Sequence, residues 1–202
     1  MTLWLGPAPL ILASQSKSRQ ALLKAAGVPY DAIPADIDER GIQAASGLKD
    51  PAAIAALLAK SKALHVARFN TGRVVVGADQ TLALGAKLFS KPAGRVQAAS
   101  QLRELAGKTH ELHAAIAVVR DAKTLFEHVS VARMTMCAIS DAGIEKYLEA
   151  AGEAVTTSVG AYQLEGLGVH LFERIEGDHF TILGLPLLPL LGCLRRHGLV
   201  VA

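Results

Sequence analysis

Residues 74–81, VVVGADQT, decide the fold of this chain. Three consecutive β-branched residues are typical of a central strand that is buried on both faces, as in an open α/β sheet. Ligands bind at strand ends in such sheets, and Asp79 follows the valines at the predicted end of this strand. Gly77 and Ala78 are small, so a substrate or a metal ion could come close to the carboxylate. The alternative is that Asp79 only caps the next turn.

Length and composition bound the class of protein. The 202 residues suffice for one α/β domain, and we expect a single domain over residues 1–202 because no stretch has the composition of a linker. Hydrophobic residues make up 51% and charged residues 19%, as in a globular protein with an aliphatic core. The formal charge is +3 and the longest Lys/Arg run is Arg195-Arg196. A small anionic substrate is therefore expected, and a nucleic-acid partner is not.

Two apolar tracts lack the features of targeting or membrane segments. Residues 3–13 are interrupted by Pro7 and Pro9, and no Lys or Arg precedes them, unlike in a signal peptide. Residues 182–194 are too short to span a bilayer. We therefore expect a cytoplasmic protein without membrane contact, and a homodimer remains an open alternative.

A polar loop at a helix start is a candidate phosphate site. A predicted strand leads into residues 14–19, SQSKSR, and a helix with apolar residues from Leu22 follows. Free backbone amides, hydroxyls and the positive end of the helix dipole all favour a phosphate there, and Arg19 adds charge. The alternative is that Ser16 or Ser18 is only an N-cap and that Arg19 is solvated.

Residues 36–39, DIDE, form a predicted acidic loop. Three carboxylates in four residues repel one another, so they need either solvent or a cation. Hard divalent metals take such oxygen ligands, which makes Glu39 and its neighbours candidates for a metal site. The alternative is a solvated acidic turn.

Two lysines complete the charged groups. Lys62 lies on a predicted helix over residues 51–69. A predicted hairpin over residues 80–89 returns the chain so that Lys91 comes near Asp79. Because a proline follows Lys91, its backbone is held extended. Cations for phosphates and carboxylates for a metal are the groups that metal-assisted phosphoryl chemistry requires.

The remaining chain supplies regular elements and no further motif. The predicted elements are a helix over 93–106, antiparallel strands over 113–120 and 126–136, a helix to 150, a loop over 152–159, a strand over 169–175 and a helix over 185–197. His110, Glu111 and His113 fall one residue short of the zinc-protease spacing. No Walker loop or dinucleotide fingerprint is present.

Taken together, these residues resemble the Maf family of nucleoside triphosphate pyrophosphatases. The matching residues run in order over most of the chain: Leu12, Ala13, Ser14, Ser16, Arg19, Ile37, Asp38, Glu39, Lys62, Ala63, Asp79, Lys91, Pro92, Gly107, Lys108, His110, Gly184, Leu185 and Pro186. The resemblance implies an elongated mixed sheet flanked by helices, with a cleft between two lobes, as in inosine triphosphate pyrophosphatases. It also implies a divalent cation, Mg²⁺ or Mn²⁺, and hydrolysis of a nucleoside triphosphate to the monophosphate and pyrophosphate.

The resemblance also assigns roles to residues of this chain. The implied catalytic residues are Asp79, as the base that activates water, Glu39 and Lys91. Glu39 and Asp79 would hold the metal ion. The triphosphate would be bound by Ser14, Ser16, Arg19, Lys62 and Lys91.

Three positions bear on the choice of nucleotide: Ser18, Gln80 and Glu165. Family members that act on dTTP and UTP have Arg, Thr and Gln there. Gln80 and Glu165 instead resemble the subgroup that acts on 7-methyl-GTP, although that subgroup tends to carry an aromatic residue at the position of Ser18. The alternatives are a pyrophosphatase that prefers dTTP or UTP, and a nucleotide-binding regulator of cell division, related to septum formation, with little turnover.

Overall fold

The computed structural model describes residues 3–201, which form a mixed α/β structure around one seven-stranded sheet. The strands are β1 (Leu10–Leu12), β2 (Tyr30–Ala32), β3 (Val75–Leu84), β4 (Lys87–Phe89), β5 (Thr109–Arg120), β6 (Lys123–Met136) and β7 (Phe172–Glu176). The α-helices are α1 (Lys17–Ala25), α2 (Glu39–Ser46), α3 (Pro51–Ala67), α4 (Arg95–Leu105), α5 (Asp141–Ala151), α6 (His179–Ile182) and α7 (Leu187–Arg196). Short 3₁₀ helices occupy Gly152–Thr156, Val159–Ala161 and Leu167–Leu171.

One edge of β3 pairs first with a parallel strand and then with an antiparallel strand. The strand order of the sheet is β2-β1-β3-β5-β6-β7. The remaining strand, β4, pairs with the C-terminal part of β3, on the edge that does not pair with β5. β1 is parallel to β2 and β3, whereas the other pairs are antiparallel. β1 pairs with β3 only as far as Val76, and β4 begins to pair with β3 at Leu82. Between these two points β3 has a strand on one side only, and a gap opens on the other.

Separate hydrophobic cores lie on the two sides of this gap. In the first lobe, the valines of β3 are buried on both faces, as predicted: Val76 packs with α1 and α7, and Val75 packs with α3. In the second lobe, Leu82 packs with α4, α5 and the 3₁₀ helices. β3 and β5 run through both lobes, so the predicted two-lobed α/β sheet is present.

Small residues bring α3 unusually close to β3. Ala55, Ala59 and Ala63 recur every four residues on the buried face of α3. Ala59 and Ala63 lie opposite Gly77, where an added Cβ would be only 2.0 Å from the carbonyl oxygen of Ala59. Only glycine fits at this crossing, and the close approach carries Lys62 of α3 to the sheet.

Two local predictions were wrong. Asp79 does not end its strand but lies in the middle of β3, because the antiparallel ladder with β5 continues through Asp79↔Ala115 to Ala83. The acidic loop is also shorter than expected: Glu39 is the first residue of α2, and Asp38 is its N-cap. No residue of α2 is buried, and Ile42 is the only large apolar side chain among its eight residues, which is too little to indicate a helix from the sequence.

The last part of the chain is more helical than predicted. Residues 152–159, expected as a loop, contain the 3₁₀ helix Gly152–Thr156. The strand expected from residue 169 begins at Phe172, because Leu167–Leu171 forms another 3₁₀ helix. Within residues 3–201, no helix combines the length and hydropathy that crossing a membrane requires.

Candidate active site

The gap beside β3 widens into a cleft of about 1640 Å³ between the two lobes. All ten candidate site residues named from the sequence line it: Ser14, Ser16, Ser18, Arg19, Glu39, Lys62, Asp79, Gln80, Lys91 and Glu165. They come from β3, α3, the loops at the starts of α1 and α2, the segment after β4 and the loop before Leu167–Leu171. The fold thus collects cations, carboxylates and hydroxyls from distant parts of the chain in one cavity.

Arg19 is fixed by three oxygen atoms. Its Nε donates to the carbonyl oxygen of Gly184 at 2.7 Å. Its Nη1 donates to the carbonyl oxygen of Ala78 at 2.9 Å and to Ser14 Oγ at 3.1 Å. Gly184 adopts φ +83°, a conformation that favours glycine and that turns its carbonyl toward the guanidinium. Arg19 is therefore a positioned cation at the cleft and is not a freely solvated side chain.

The hydroxyl groups of Ser14 and Ser16, in the loop before α1, can still donate hydrogen bonds. Ser14 is buried, and its Oγ accepts hydrogen bonds from Arg19 Nη1 and from the backbone amide of Ser16 at 3.2 Å. Ser16 is the N-cap of α1, and its Oγ accepts from the backbone amide of Arg19 at 3.4 Å. Because both hydroxyls already accept from the protein, their O–H groups are left to donate to an anion. The N-cap alternative for Ser16 and the phosphate interpretation thus describe the same geometry.

Lys62 lies between the two carboxylates that were predicted to hold a metal ion. Its Nζ is 2.6 Å from Asp79 Oδ1 and 2.9 Å from Glu39 Oε1. Lys62 and Asp79 are 9% and 7% exposed, so their pair is buried, whereas Glu39 is open to the cleft. The sequence predicted Lys62 as a triphosphate ligand. The structure shows that it also neutralises the acidic centre, which consists of the Glu39 and Asp79 carboxylates.

Burial dominates the proton affinity of Asp79. It raises the pKa of the carboxyl above its usual value, because the charged form is poorly solvated in the cleft wall. Lys62 and Arg19 oppose this effect by stabilising the carboxylate, and Glu39 adds to it. A carboxylate whose pKa is displaced upward is a stronger base than an exposed aspartate, as general-base catalysis near neutral pH requires.

Lys91 is a cleft cation that forms no ion pair within the described residues. It lies two residues after the end of β4, is exposed, and lines the same cavity as Asp79, as the predicted hairpin requires. Within residues 3–201 its ammonium forms no ion pair, unlike that of Lys62. Its charge is therefore available to a ligand.

The cleft also presents hydrogen-bond acceptors. Glu165 Oε1 accepts a hydrogen bond of 2.7 Å from Ser18 Oγ, which joins the loop of α1 to the second lobe across the cleft. Gln80 Nε2 donates to the carbonyl oxygens of Thr181 and Ile182 at 3.0 and 3.1 Å. The reverse orientation of this amide would set its oxygen against two carbonyls, so the nitrogen is assigned to this side. Gln80 Oε1, which has no hydrogen-bond partner in the described chain, and the Glu165 carboxylate are left as acceptors.

Sequence reasoning missed several residues that shape the site. Arg40 and Lys17 add cationic groups to the cleft, and Tyr162 forms part of its wall. Arg40 follows Glu39 directly, and Lys17 stands inside the polar loop. Proximity to predicted site residues was therefore the only sequence feature that could have marked them as cleft residues. Thr181, which holds Gln80 through its carbonyl, has no sequence signal of its own.

His110 belongs to the core of the second lobe. It is 1% exposed, and its Nε2 is 2.7 Å from the hydroxyl oxygen of Tyr162. Burial lowers the pKa of His110 to about 4, so the ring is neutral at physiological pH. Its matching position in the family pattern reflects packing and hydrogen bonding in this structure.

The acidic centre has the donor type that a hard cation needs. Glu39 and Asp79 converge on one point, which Lys62 Nζ marks, and both offer oxygen atoms. Across residues 3–201 no cluster of three or more His, Cys, Asp and Glu side chains converges as a protein-only metal site would. Both carboxylates offer the oxygen donors that Mg²⁺ and Mn²⁺ prefer, and in this structure the Lys62 ammonium lies between them.

Comparison with known proteins agrees with the motifs. The family model described as Maf-like protein matches residues 9–197. A nucleoside triphosphate pyrophosphatase of Rhodopseudomonas palustris is 66% identical over 200 residues, which are 99% of each chain. A 7-methyl-GTP pyrophosphatase of Brucella abortus is 50% identical over 191 residues, 93% of this chain and 96% of the relative. A solved HAM1 protein from Coxiella burnetii has a TM-score of 0.41 and 18% identity, and the match covers 63% of this chain and 72% of that one. The resemblance inferred from the motifs is confirmed, and the chain belongs to the Maf family.

Proposed function

We propose that this protein is a nucleoside triphosphate pyrophosphatase that cleaves between the α and β phosphates. Water would attack the α phosphorus, the bond from this phosphorus to the α–β bridging oxygen would break, and pyrophosphate would leave. The observation that carries the proposal is the buried Asp79 carboxylate in a cleft with free and fixed cations. Relatives of nearly the same length that are 60% or more identical are named for this activity.

Each cleft residue has a defined part in this reaction. Asp79 accepts the proton of the attacking water, and its raised pKa increases its basicity. Arg19 and Lys91 contact phosphate oxygens, and the hydroxyls of Ser14 and Ser16 donate to the same group. Lys62 keeps the Asp79 carboxylate charged and oriented at 2.6 Å.

A divalent cation is part of the proposal. Glu39 and Asp79 would hold Mg²⁺ or Mn²⁺, which would neutralise charge on the phosphates as the leaving group departs. The oxygen-only donor set favours these cations over zinc.

The acceptors of the cleft, Glu165 and Gln80 Oε1, favour a guanine base. Guanine presents neighbouring N–H donors on its pairing edge, and the Glu165 carboxylate and Gln80 Oε1 both accept. Thymine and uracil would set carbonyl oxygens against these groups, and such a mismatch becomes costly once the bound base shields them from water. Methylation of guanine at N7 adds positive charge, which the Glu165 carboxylate attracts. We therefore propose 7-methyl-GTP or a similar modified guanine nucleotide as the substrate, in line with the name of the Brucella relative.

Two alternatives remain distinguishable. A pyrophosphatase that prefers dTTP or UTP would have to reorient Gln80, because both hydrogen atoms of its Nε2 are directed to backbone carbonyls. A nucleotide-binding regulator of cell division would need the cations but not a buried base such as Asp79. The proposal further includes a single domain over residues 1–202 and a cytoplasmic location, with a homodimer as an alternative to a monomer.

The test is a nucleotide screen with purified protein and Mg²⁺ or Mn²⁺. Pyrophosphate release and the nucleoside monophosphate are both measured for the common triphosphates and for 7-methyl-GTP, with Asp79→Asn as the inactive control. We expect 7-methyl-GTP to give the highest kcat/KM. Release of orthophosphate only, or the same rate with Asp79→Asn, would refute the reaction. A preference for dTTP or UTP would retain the reaction and reject the substrate.

A further inference from the structure

The segment that carries Lys91 is held in place by α4. Residues 90–93 follow β4 and contain no regular structure. Gln101 Nε2 donates to the carbonyl oxygen of Ser90 at 2.9 Å, and the backbone amide of Ala93 donates to Gln97 Oε1 at 2.7 Å. Gln97 and Gln101 are one helical turn apart, so a single face of α4 grips both ends of the segment.

Core packing does not explain a glutamine at position 101. Gln101 is 7% exposed and follows the helix face formed by Ala98 and Leu102, which are fully buried in the second lobe. Its Oε1 is also buried and has no hydrogen-bond partner in the described chain. A buried amide with an unpaired oxygen is less stable than an apolar side chain of similar size. The hydrogen bond to Ser90 is the favourable interaction that only the amide supplies.

This hydrogen bond fixes the direction of a second group. The carbonyl of Ser90 and the amide of Lys91 belong to one peptide unit, and no described peptide is cis. In a trans peptide the C=O and N–H bonds point in opposite directions. Since the Ser90 carbonyl points to Gln101 on α4, the Lys91 N–H points away from α4.

The side away from α4 is the cleft. Ser90 and Lys91 both line the cavity, whereas none of the α4 residues Arg95–Leu105 does. The Lys91 amide has no hydrogen-bond partner within residues 3–201. Lys91 therefore offers two donors to the cleft, a fixed main-chain N–H and a flexible ammonium, and their combination is typical of anion sites.

We infer that Gln101 is a positioning residue, which holds the peptide between Ser90 and Lys91 so that the Lys91 N–H and ammonium bind the same phosphate group. This inference rests on the proposed function, because it assumes a phosphate in the cleft. The Lys91 main-chain N–H has no side-chain rotamers, so it loses no rotamer entropy when an anion binds. Because Gln101 already fixes the orientation of this peptide, the entropic cost of binding the anion is lower.

The test compares Gln101→Met with the wild type. Methionine keeps the volume of the side chain and removes the donor to Ser90. Isothermal titration calorimetry with inorganic tripolyphosphate in Mg²⁺ buffer measures phosphate binding. This ligand has no nucleobase, and binding is measured separately from nucleotide hydrolysis. We expect binding to weaken about three- to tenfold, the loss of one oriented hydrogen-bond donor. With the nucleotide that the wild type turns over, KM should rise by a similar factor, whereas a fold defect would lower kcat at unchanged KM.

Two further variants control for folding. Ser100→Ala lies on the exposed face of the same helix and should leave tripolyphosphate binding unchanged. Gln97→Ala removes the contact to Ala93 at an exposed position, where it does not disturb the core, and should weaken binding in the same direction as Gln101→Met but less.

Unchanged tripolyphosphate affinity in Gln101→Met and Gln97→Ala would overturn the inference. Absence of tripolyphosphate binding to the wild type would overturn it as well. The proposed function fails separately, if the wild type hydrolyses no nucleotide at the α–β bond. Weakened tripolyphosphate binding in both variants would support the positioning role even in that case.

Discussion

Replacement of Lys62 by methionine should shift the pH dependence of catalysis. Lys62 Nζ is 2.6 Å from Asp79 Oδ1, and its charge lowers the pKa of that carboxyl against the opposing effect of burial. An opposite charge at such a distance changes a carboxyl pKa by about 1 to 3. Lys62→Met should therefore raise the pH of half-maximal kcat/KM by about 1 to 3 pH units, because Asp79 must be ionised to accept a proton.

The same substitution should make stability depend more steeply on pH than it does in the wild type, where burial already raises the pKa of Asp79. In the variant, folded Asp79 binds its proton more tightly than unfolded Asp79, so the free energy of unfolding falls as the pH rises from about 4 through the folded pKa. Each pH unit of displacement corresponds to about 1.4 kcal/mol. We therefore expect Lys62→Met to cost about 1 to 4 kcal/mol at neutral pH and much less at pH 4.

Lys60→Met is the matched control. Lys60 lies on the same helix, and its Nζ is also 2.6 Å from a carboxylate oxygen, that of Glu127, but the two side chains are 41% and 40% exposed. Its loss should cost less than about 1 kcal/mol and leave the pH profile unchanged. The assays are pyrophosphate release from pH 5 to 10 and urea unfolding at pH 4 and 7.5. An unchanged or lower pH of half-maximal activity in Lys62→Met, or equal effects of both variants, would refute the argument.

Four further outcomes follow from the site and the fold. Glu165→Gln should lower kcat/KM for 7-methyl-GTP at least about tenfold and leave dTTP or UTP turnover equal or higher, because the variant loses the carboxylate acceptor; equal losses for all substrates would contradict base reading by Glu165. Asp79→Asn should lower kcat about 10² to 10⁴-fold with a smaller change in KM, and near-normal turnover would move the base elsewhere, with Glu39 as the next candidate. Chelation of divalent cations should abolish turnover, and Mg²⁺ or Mn²⁺ should restore it, whereas full activity in metal-free buffer would exclude the cation role of the two carboxylates. Gly77→Ala should destabilise the protein by more than about 2 kcal/mol in urea unfolding, because its Cβ would be 2.0 Å from the Ala59 oxygen, whereas Gly192→Ala, with only the tip of Arg196 at 3.7 Å, should stabilise by up to about 1 kcal/mol; similar values would contradict the packing argument.

Local sequence patterns predicted the individual strands, loops and helix starts of the site better than the long-range contacts between them. The valines before Asp79 marked a strand buried on both faces, and the polar loop before Leu22 marked a helix start, since both depend on near neighbours. The position of Asp79 in mid-strand depends on its ladder with β5, which no pattern around residue 79 reveals. The family resemblance supplied the missing long-range information, since it grouped residues 14 to 165 in one cleft.

Other features could not have been found without coordinates. Arg19 is oriented by Gly184, which is 165 positions away in the chain, and Gln80 by the carbonyls of Thr181 and Ile182. These contacts use backbone oxygens, which every residue has, so side-chain identity carries no trace of them. The glutamine at position 101 did leave a signal, a polar residue on the apolar face of a helix, and its partner at Ser90 became visible only in the structure.

The ladder between β3 and β5 passes without a break from one lobe to the other. A change in the width of the cleft must therefore twist this ribbon, since no flexible linker separates the lobes at that point. Twisting strains many hydrogen bonds a little and breaks none, so the restoring force grows with the amplitude. We expect the width of the cleft to vary only slightly and against a steep restoring force, and the amides of Gly77 and Ala117, which face each other in this ladder, to be among the slowest in the protein to exchange with deuterium.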